Sequence, residues 1–575
     1  MPSLTERLLG SLGVPRSVQA LPVDSLGRNF PRKLSQRIFA LVPVQPLSPP
    51  LRTVAVSARA VELLLTKPWS ADVESLAQDT LFAGVFSGSV FPANLRPAAH
   101  CYWGTQFGSY AGQLGDGAAL LLGEINGYEI NLKGTGPTPF SRGFDGRKVL
   151  RSSVREFLAS EAMAGLGVPT TRAAALVVSG SETVSRDVNY SGRPINEPCA
   201  VVSRLARSFF RFGSFESMDV GDSLVIRQLT EFVSDHVLSE PTSSLIDHVV
   251  DRTAFMVSEW QSVGFVHGVM NTDNMSILGD TIDYGPFGFI ENYDPHFVPN
   301  TSDKFGRYAF SEQPQIAAWN CARLHAMLDM HLDDRLKQRI GHNPDLDVVA
   351  QFNDRYSVYY SEKMRKKLGL SEVSQGWTNR ILSLLEDSAV DFTVTFRQLA
   401  TLEPGKEEAV LGAIMATFPS LERVQRLSAV RVNKSDIPEI EEFARTRLAD
   451  LKKAGIDLNA IERWKFHIRR VEQFEKGQEW RTHCEQGWRT FLAELAPLLS
   501  DESRKVMKSV NPIYIPRQAL IQTSIDKAQN FNDFSEVHAL LRLFQDPYVE
   551  DSSVDSQLYA NPDLANLGVC LSCSS

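Results

Sequence analysis

The sequence predicts an α+β protein: a core of strands and helices, preceded by an N-terminal arm and followed by a largely helical extension. Three observations carry that prediction. Two short apolar runs meet at Asn126-Gly127, a two-residue turn suited to a β-hairpin because both residues tolerate positive φ. Two more, residues 275–278 and 281–284, meet at Gly279-Asp280, a second hairpin signal. After Pro314 helical periodicity takes over, in runs spanning residues 316–332, 347–367 and 377–402, with few turn clusters between them.

Length and composition set the broad class. A chain of 575 residues, 43% hydrophobic and 22% charged, has room for several cores at roughly 100–200 residues per domain. The signals divide it into residues 1–110 (the arm and the start of a first lobe), 111–330 (the core), 331–550 (the helical region) and 551–575 (a polar tail). The net charge of −9 offers no electrostatic footprint for nucleic acid, and no basic run suited to an anionic membrane surface is visible. No apolar run approaches the roughly 18 residues of a membrane span. Neither nucleic acid nor a membrane is therefore an expected partner. Arg7, Arg16, Arg28, Arg32, Lys33 and Arg37, against Glu6 and Asp24, fit a mitochondrial transit peptide and fit an ordinary basic start equally well, so mitochondrial and cytoplasmic locations both stay open. Six cysteines in so long a chain do not make a disulfide scaffold. Cys570 and Cys573 form a Cys-x-x-Cys pair that can close on itself, or are two incidental cysteines of an irregular tail.

Residues 1–55 are rich in proline and read as an arm lying on the main body, with a helical run around residues 60–65 behind them. The first stretch that carries chemistry is Gly112-Gln-Leu-Gly-Asp-Gly117, followed by the Asn126-Gly127 hairpin. Counted from the turn, Lys133 falls opposite Leu120, beneath the glycines. Gly115 and Gly117 let backbone N–H groups approach an anion closely, and Lys133 sets a point charge beside them. That is phosphate-site geometry, and a plain turn is the alternative. A Gly- and Pro-rich loop over residues 134–146 then leads to an amphipathic helix, residues 153–166, with Val154, Phe157, Leu158 and Met163 on its apolar side. Glu156 has two readings: the far member of a capping box begun by Ser153, or the partner of Lys133. Arg204 and Arg211, seven residues apart, would share one helix face and could meet phosphate oxygens, although solvated or carboxylate-paired arginines are commoner. Residues 244–263 form a helix with Ile246, Val249, Val250, Val257 and Trp260 inward, and Trp319 and Trp377 supply core material further on.

The most informative stretch runs from His267 through Asn274 to Asp283. The hairpin register puts Ser276 opposite Asp283 and Asn274 one diagonal step away on the same face, roughly 7–8 Å at the backbone, near enough to share one Mg²⁺. His267 to Asn274 also has the spacing of the protein-kinase catalytic loop, H-x-D-x-x-x-x-N, and Asp283-Tyr-Gly285 stands where that fold has its Asp-Phe-Gly metal ligand. Val269 occupies the place of the kinase base, and Asp273 is the nearest replacement. The bland alternative is a hairpin end closed by Asn and Asp hydrogen bonds.

Together QLGDG, NLKGTGPTPFSR, VLRSSVREFLASEAM and HGVMNTDNMSILGDTIDYGPFGF resemble the selenoprotein O family over most of residues 20–330. The resemblance implies a bilobal protein-kinase-like core that binds ATP in a reversed orientation and, with Mg²⁺ (or Mn²⁺), transfers AMP to Ser, Thr or Tyr hydroxyls of protein substrates. It implies nucleotide contacts at Gly115, Gly117, Lys133, Asp145 and Gly146, and phosphate-facing arginines at Arg204 and Arg211. It makes Asp273 the proton acceptor and Asn274 and Asp283 the metal ligands, and it favours a mitochondrial location. Two positions depart from the family. Ala118 stands where bacterial members often carry a nucleotide-contacting Arg, and Cys573 where vertebrate members carry selenocysteine, which makes Cys570 and Cys573 a candidate redox pair. Three other classes compete: a kinase-like phosphotransferase, which would keep the Asp that Val269 replaces; a non-catalytic ATP-binding scaffold; and a thiol oxidoreductase, which lacks a thioredoxin-like frame around its Cys pair.

Overall fold

The computed structural model of the chain describes residues 2–66, 73–187, 192–238, 244–428, 442 and 459–554, and a nine-stranded sheet frames its first half. The arm supplies β1 (Val23–Asp24), β2 (Phe39–Leu41) and β3 (Leu51–Val56); β4 (Ala98–His100) follows, and β5 (Trp103–Gln106) pairs with β6 (Ser109–Gln113) beside the sheet. Next come β7 (Ala119–Ile125), β8 (Tyr128–Lys133), β9 (Lys148–Val149), β10 (Arg172–Arg186) and β11 (Ile195–Ala206). The sheet order is β1-β2-β4-β7-β8-β11-β10-β3, with β9 also pairing with β11. The proline-rich arm is thus part of the sheet rather than a strap across it. Its prolines, at positions 2, 15, 22, 31, 43, 46, 49 and 50, all fall outside the strands, where no ladder N–H is lost.

The Asn126-Gly127 turn forms as expected, with φ of 50° and 75°. Its register differs from a simple count. A slip between Leu121 and Gly123 leaves Leu122 as an extra residue, so Lys133 faces Ala119 rather than Leu120. The two longest strands, β10 and β11, lie where the sequence shows little periodicity. Residues 173–178 are buried on both faces, and a strand covered on both sides needs no alternation.

Helix Leu150–Gly165 crosses the sheet with Val154, Phe157, Leu158 and Met163 in the core. Helix Leu245–Val263 is capped by Ser244, ends at Gly264 in the left-handed conformation (φ 75°), and buries Ile246, Val249, Val250, Val257 and Trp260 as expected. The second half is largely helical and holds a second core. Its expected helices appear as Gln313–His331 and Val348–Leu368, whereas the run over 377–402 divides into Gln375–Ser388 and Phe392–Leu399 at Ala389, which takes φ 49°. Trp319 is 37% exposed under the Arg307 guanidinium, so it is not core material. Among the described residues no helix is long and apolar enough to cross a membrane.

The Gly279-Asp280 hairpin does not form. Ile277 N–H donates to Phe210 O (3.0 Å) and Phe212 N–H to Met275 O (2.8 Å), while Thr281 N–H donates to Pro169 O (2.9 Å). The two apolar runs satisfy their backbone groups on separate neighbours, and the only bridge between them joins Met275 to Thr281. Residues 267–287 are therefore a long loop between β12 (Phe265–Val266) and β13 (Gly288–Phe289), and this loop carries the candidate site.

Candidate active site

Asp283 sits at φ 56°, a left-handed conformation uncommon outside glycine and a strain concentrated at functional positions. That conformation accompanies a carboxylate surrounded by cations. Oδ1 accepts from Lys133 Nζ at 2.9 Å and from Arg204 Nη1 at 2.5 Å, and Oδ2 accepts from Arg211 Nη1. Burial alone would push this carboxyl up; Arg211, Lys133 and Arg204 outweigh it and hold the group well below the usual carboxylate range.

Lys133, the last residue of β8, also pairs with Glu156 at 2.9 Å, and Glu156 accepts from Arg204 Nη1 at 3.3 Å. The Glu156 question is thereby resolved. The helix begins at Leu150 with Val149 at its N-cap, which leaves Ser153 inside the helix and the capping box unmade. Arg204 and Arg211 share no helix face: Arg204 is in β11, and Arg211 precedes the 3-10 turn Phe212–Phe215. Both are nonetheless buried and paired with carboxylates. Arg204 adds a fork to Asn131 Oδ1 (2.8 and 3.3 Å), and Arg211 meets Asp116 at 3.4 Å and lies over the Tyr102 ring.

Opposite this cluster, the 3-10 turn Thr272–Asn274 carries the other predicted residues. Asp273 Oδ2 accepts from Gln106 Nε2 at 3.2 Å, and Oδ1 is buried without a hydrogen-bond partner among the described residues. Burial, opposed by Arg211, pushes Asp273 up to about 6. Asn274 donates to Val269 O at 3.0 Å, so the amide oxygen, which suits a hard cation, is the end left over. The hairpin expected to bring Asn274 and Asp283 together is absent, yet both line one cleft of about 300 Å³ with Lys133, Glu156, Val269 and Asp273.

The other predicted residues lie apart from that cleft wall. Gly115 (φ 140°) is needed for packing, because a Cβ there would stand 2.4 Å from the Phe140 ring, and one on Gly117 would meet Phe140 O at 3.0 Å. Asp145 is exposed and pairs with Arg186 at 2.7 Å, while Gly146 abuts Gly136. Cys570 and Cys573 lie outside the described residues. Gln106, Asn271, Lys148 and Arg155 also line the cleft, and Asp116 braces Arg211; none of the five is among the residues that the sequence predicts for the site. Asn271, Asp116 and Arg155 lie inside stretches that carry other signals; nothing local marks Gln106 or Lys148.

Among the described residues no group of three or more His, Cys, Asp or Glu side chains could hold a metal unaided. Asn274 and Asp283 suit an ion that takes its remaining oxygens from a nucleotide and water, as Mg²⁺ does.

Comparison with known proteins gives the family. Residues 60–545 match the family model described as "Protein adenylyltransferase SelO". The mouse "Protein adenylyltransferase SelO, mitochondrial" is 38% identical over 96% of this chain and 90% of its own length, and the human protein of that name is 40% identical over 93% and 86%. The "Protein nucleotidyltransferase YdiU" of Xanthomonas campestris is 39% identical over 86% and 87%. With a caged Asp283, a kinase-spaced loop lacking its usual base, and similarity spanning nearly the whole sequence, the chain belongs to the SelO family.

Proposed function

We propose that the protein transfers AMP from ATP to Ser, Thr or Tyr hydroxyls of other proteins, releasing pyrophosphate. The relatives' names supply the reaction class. The observation that carries it onto this cleft is Asp273 Oδ1, buried and unpartnered, across from the Lys133–Glu156–Asp283 cluster, while Val269 fills the place of a kinase base. A carboxyl near 6 is ionised at neutral pH and can take the hydroxyl proton as that oxygen attacks the α-phosphorus. The bond from the α-phosphorus to the bridging oxygen breaks, and its electron pair leaves with pyrophosphate. Lys133, Arg204 and Arg211 are fixed before substrate arrives, so they offset developing negative charge without reorganising.

Asn274 and Asp283 would hold the divalent ion, Mg²⁺ or Mn²⁺, which supplies further charge neutralisation at phosphate oxygens. Gly115, Gly117, Asp145 and Gly146 are assigned to the nucleotide away from the reacting phosphorus. We also assign the protein to mitochondria, following the names of its mouse and human relatives.

The test uses ATP labelled separately at the α- and γ-phosphates. Label on protein from α-³²P-ATP, none from γ-³²P-ATP, and release of pyrophosphate are expected. Label arriving only from the γ position would make the protein a phosphotransferase, and ATP binding with no label from either would make it a scaffold.

A further inference from the structure

Lys133 and Lys148 are neighbours on one sheet face although fifteen positions separate them in sequence. On β11, Val202 pairs with Lys133 and Ala200 with Lys148, while Arg204 pairs with Asn131. Residues 200, 202 and 204 alternate onto the same face, and antiparallel partners share the face of the residue they oppose. Arg204, Lys133 and Lys148 therefore form a row of cations along the cleft side of the sheet. The main chain between them is tight: a Cβ on Gly134 would stand 2.3 Å from Ala200 O and 3.2 Å from Lys148 Cβ.

Two of the three cations are already engaged. Lys133 is held by Glu156 and Asp283, and Arg204 by Asp283, Glu156 and Asn131. Lys148 lines the same cleft, yet among the described residues its ammonium makes no hydrogen bond or ion pair. Glu156 and Asp283 attract it from a distance, and Lys133 and Arg204 repel it. Burial, with Lys133 beside it, brings its ammonium down to about 8, so it is still mostly charged at neutral pH. A half-buried ammonium that faces a cleft with no counter-ion in contact offers an anion a charge partner there.

We propose that Lys148 is a second phosphate-binding amine of the nucleotide site, engaging the polyphosphate chain of ATP while Lys133 stays committed to Glu156 and Asp283. The inference rests on the adenylyl-transfer reading only in taking ATP as the ligand. A single charge-assisted hydrogen bond of this kind corresponds to about a ten- to hundred-fold difference in affinity.

The experiment measures ATP dissociation constants for the full chain, Lys148→Met and Lys148→Arg, together with the reactivity of Lys148 in the unmodified protein. Lys148→Met is expected to weaken ATP binding by about ten- to a hundred-fold, and Lys148→Arg to keep most of the affinity. An amine-acylating reagent followed by mass spectrometry should modify Lys148 in the free protein, and ATP or inorganic pyrophosphate should protect it. That second measurement needs no variant and stands even where Lys148→Met fails to fold. Unchanged ATP affinity in Lys148→Met, or equal acylation of Lys148 with and without saturating ATP, would overturn the inference while leaving adenylyl transfer intact. Tight ATP binding without α-label transfer would instead overturn the proposed function and leave the role of Lys148 standing.

Discussion

Arg211 and Asp283 are joined through Nη1 and Oδ2, and the same nitrogen donates to the main-chain carbonyl of Asp273 at 2.8 Å. One guanidinium thus links the loop carrying the candidate metal ligand to the turn carrying the candidate base. Arg211→Lys keeps the charge but cannot span both partners and Asp116 with a single ammonium. It should lower transfer from α-labelled ATP by roughly 10²-fold, the cost of misplacing reacting groups by about 1 Å. Wild-type turnover in that variant would show that the link does not position the site.

Asp283→Ala tests the cluster more severely. Removing the carboxylate leaves Lys133, Arg204 and Arg211 facing one another, with Glu156 and Asp116 as the remaining anions. Breaking a buried pair in this way costs about 3–5 kcal/mol. Loss of transfer is expected together with a clear drop in urea midpoint for the nucleotide-free protein. Transfer that survives the substitution would remove Asp283 from the site.

The sequence and the structure part company at identifiable places. Lys133 with Glu156 is one of two readings the sequence leaves open, and what decides it is where the helix starts: at Leu150, which puts Glu156 well inside the helix and away from an N-cap. The hairpin between β7 and β8 was legible from Asn126-Gly127; the slip at Leu122 is marked only by Gly123 beside it, a strand glycine against which Leu12 and Gly13 of the arm pack closely. The loop over residues 275–284 misled because its real partners, Phe210 and Pro169, are remote in sequence, and a local count assigns its backbone groups to each other. Arg204 and Arg211 converge on Asp283 through a strand and a turn, so helical spacing had no bearing on them.

The arm carries a pH-dependent contact. Burial pushes Glu129 of β8 up to about 7, against hydrogen bonds from Ser17 Oγ (2.6 Å) and Phe209 N–H (3.1 Å). The folded state then holds a proton that the unfolded chain has released above its ordinary value near 4.5. Stability should decline as pH rises from about 4.5 to about 7, by at most about 1.4 kcal/mol per unit, and level off above. Glu129→Gln can still accept from Phe209 N–H through its amide oxygen and donate to Ser17 Oγ through its amide nitrogen, without the charge. Thermal melting should find it more stable than wild type at pH 8, with the difference shrinking toward pH 5; a difference independent of pH would assign the effect to packing.

Cys101, Cys199, Cys321 and Cys484 are buried, and burial pushes all four thiols up, to about 11 at Cys199 and about 12 at Cys321 and Cys484. Thiols held protonated are poor nucleophiles and resist oxidation. Mild oxidant acting on the native protein should therefore spare these four and join Cys570 to Cys573, with a change in transfer rate. Mass spectrometry that finds both tail thiols free would exclude a redox role for the pair.

Gly104 offers a way to test Asp273 without altering it. This glycine of β5 packs so closely that a Cβ would stand 2.6 Å from Asp273 Oδ1 and 3.1 Å from Asp273 Cβ, with Leu114 at 3.0 Å. Its φ is not in the left-handed region, so alanine introduces no backbone strain there. Asp273 Oδ1 is the far end of a side chain whose carboxylate accepts one side-chain hydrogen bond, from Gln106, so rotation of the carboxylate relieves the closest of these contacts. Gly104→Ala should therefore lower kcat steeply while leaving ATP affinity and melting temperature close to wild type. Asp273→Ala should do the same more completely, by the 10²- to 10⁴-fold typical of a lost general base, roughly. Because a base acts in the transition state, the two variants should agree in a kcat defect with little change in ATP affinity. A Gly104→Ala protein with undiminished kcat, beside an impaired Asp273→Ala protein, would mean that the position of the carboxylate is not what the reaction needs, and would shift the role of Asp273 from proton acceptor to local electrostatics.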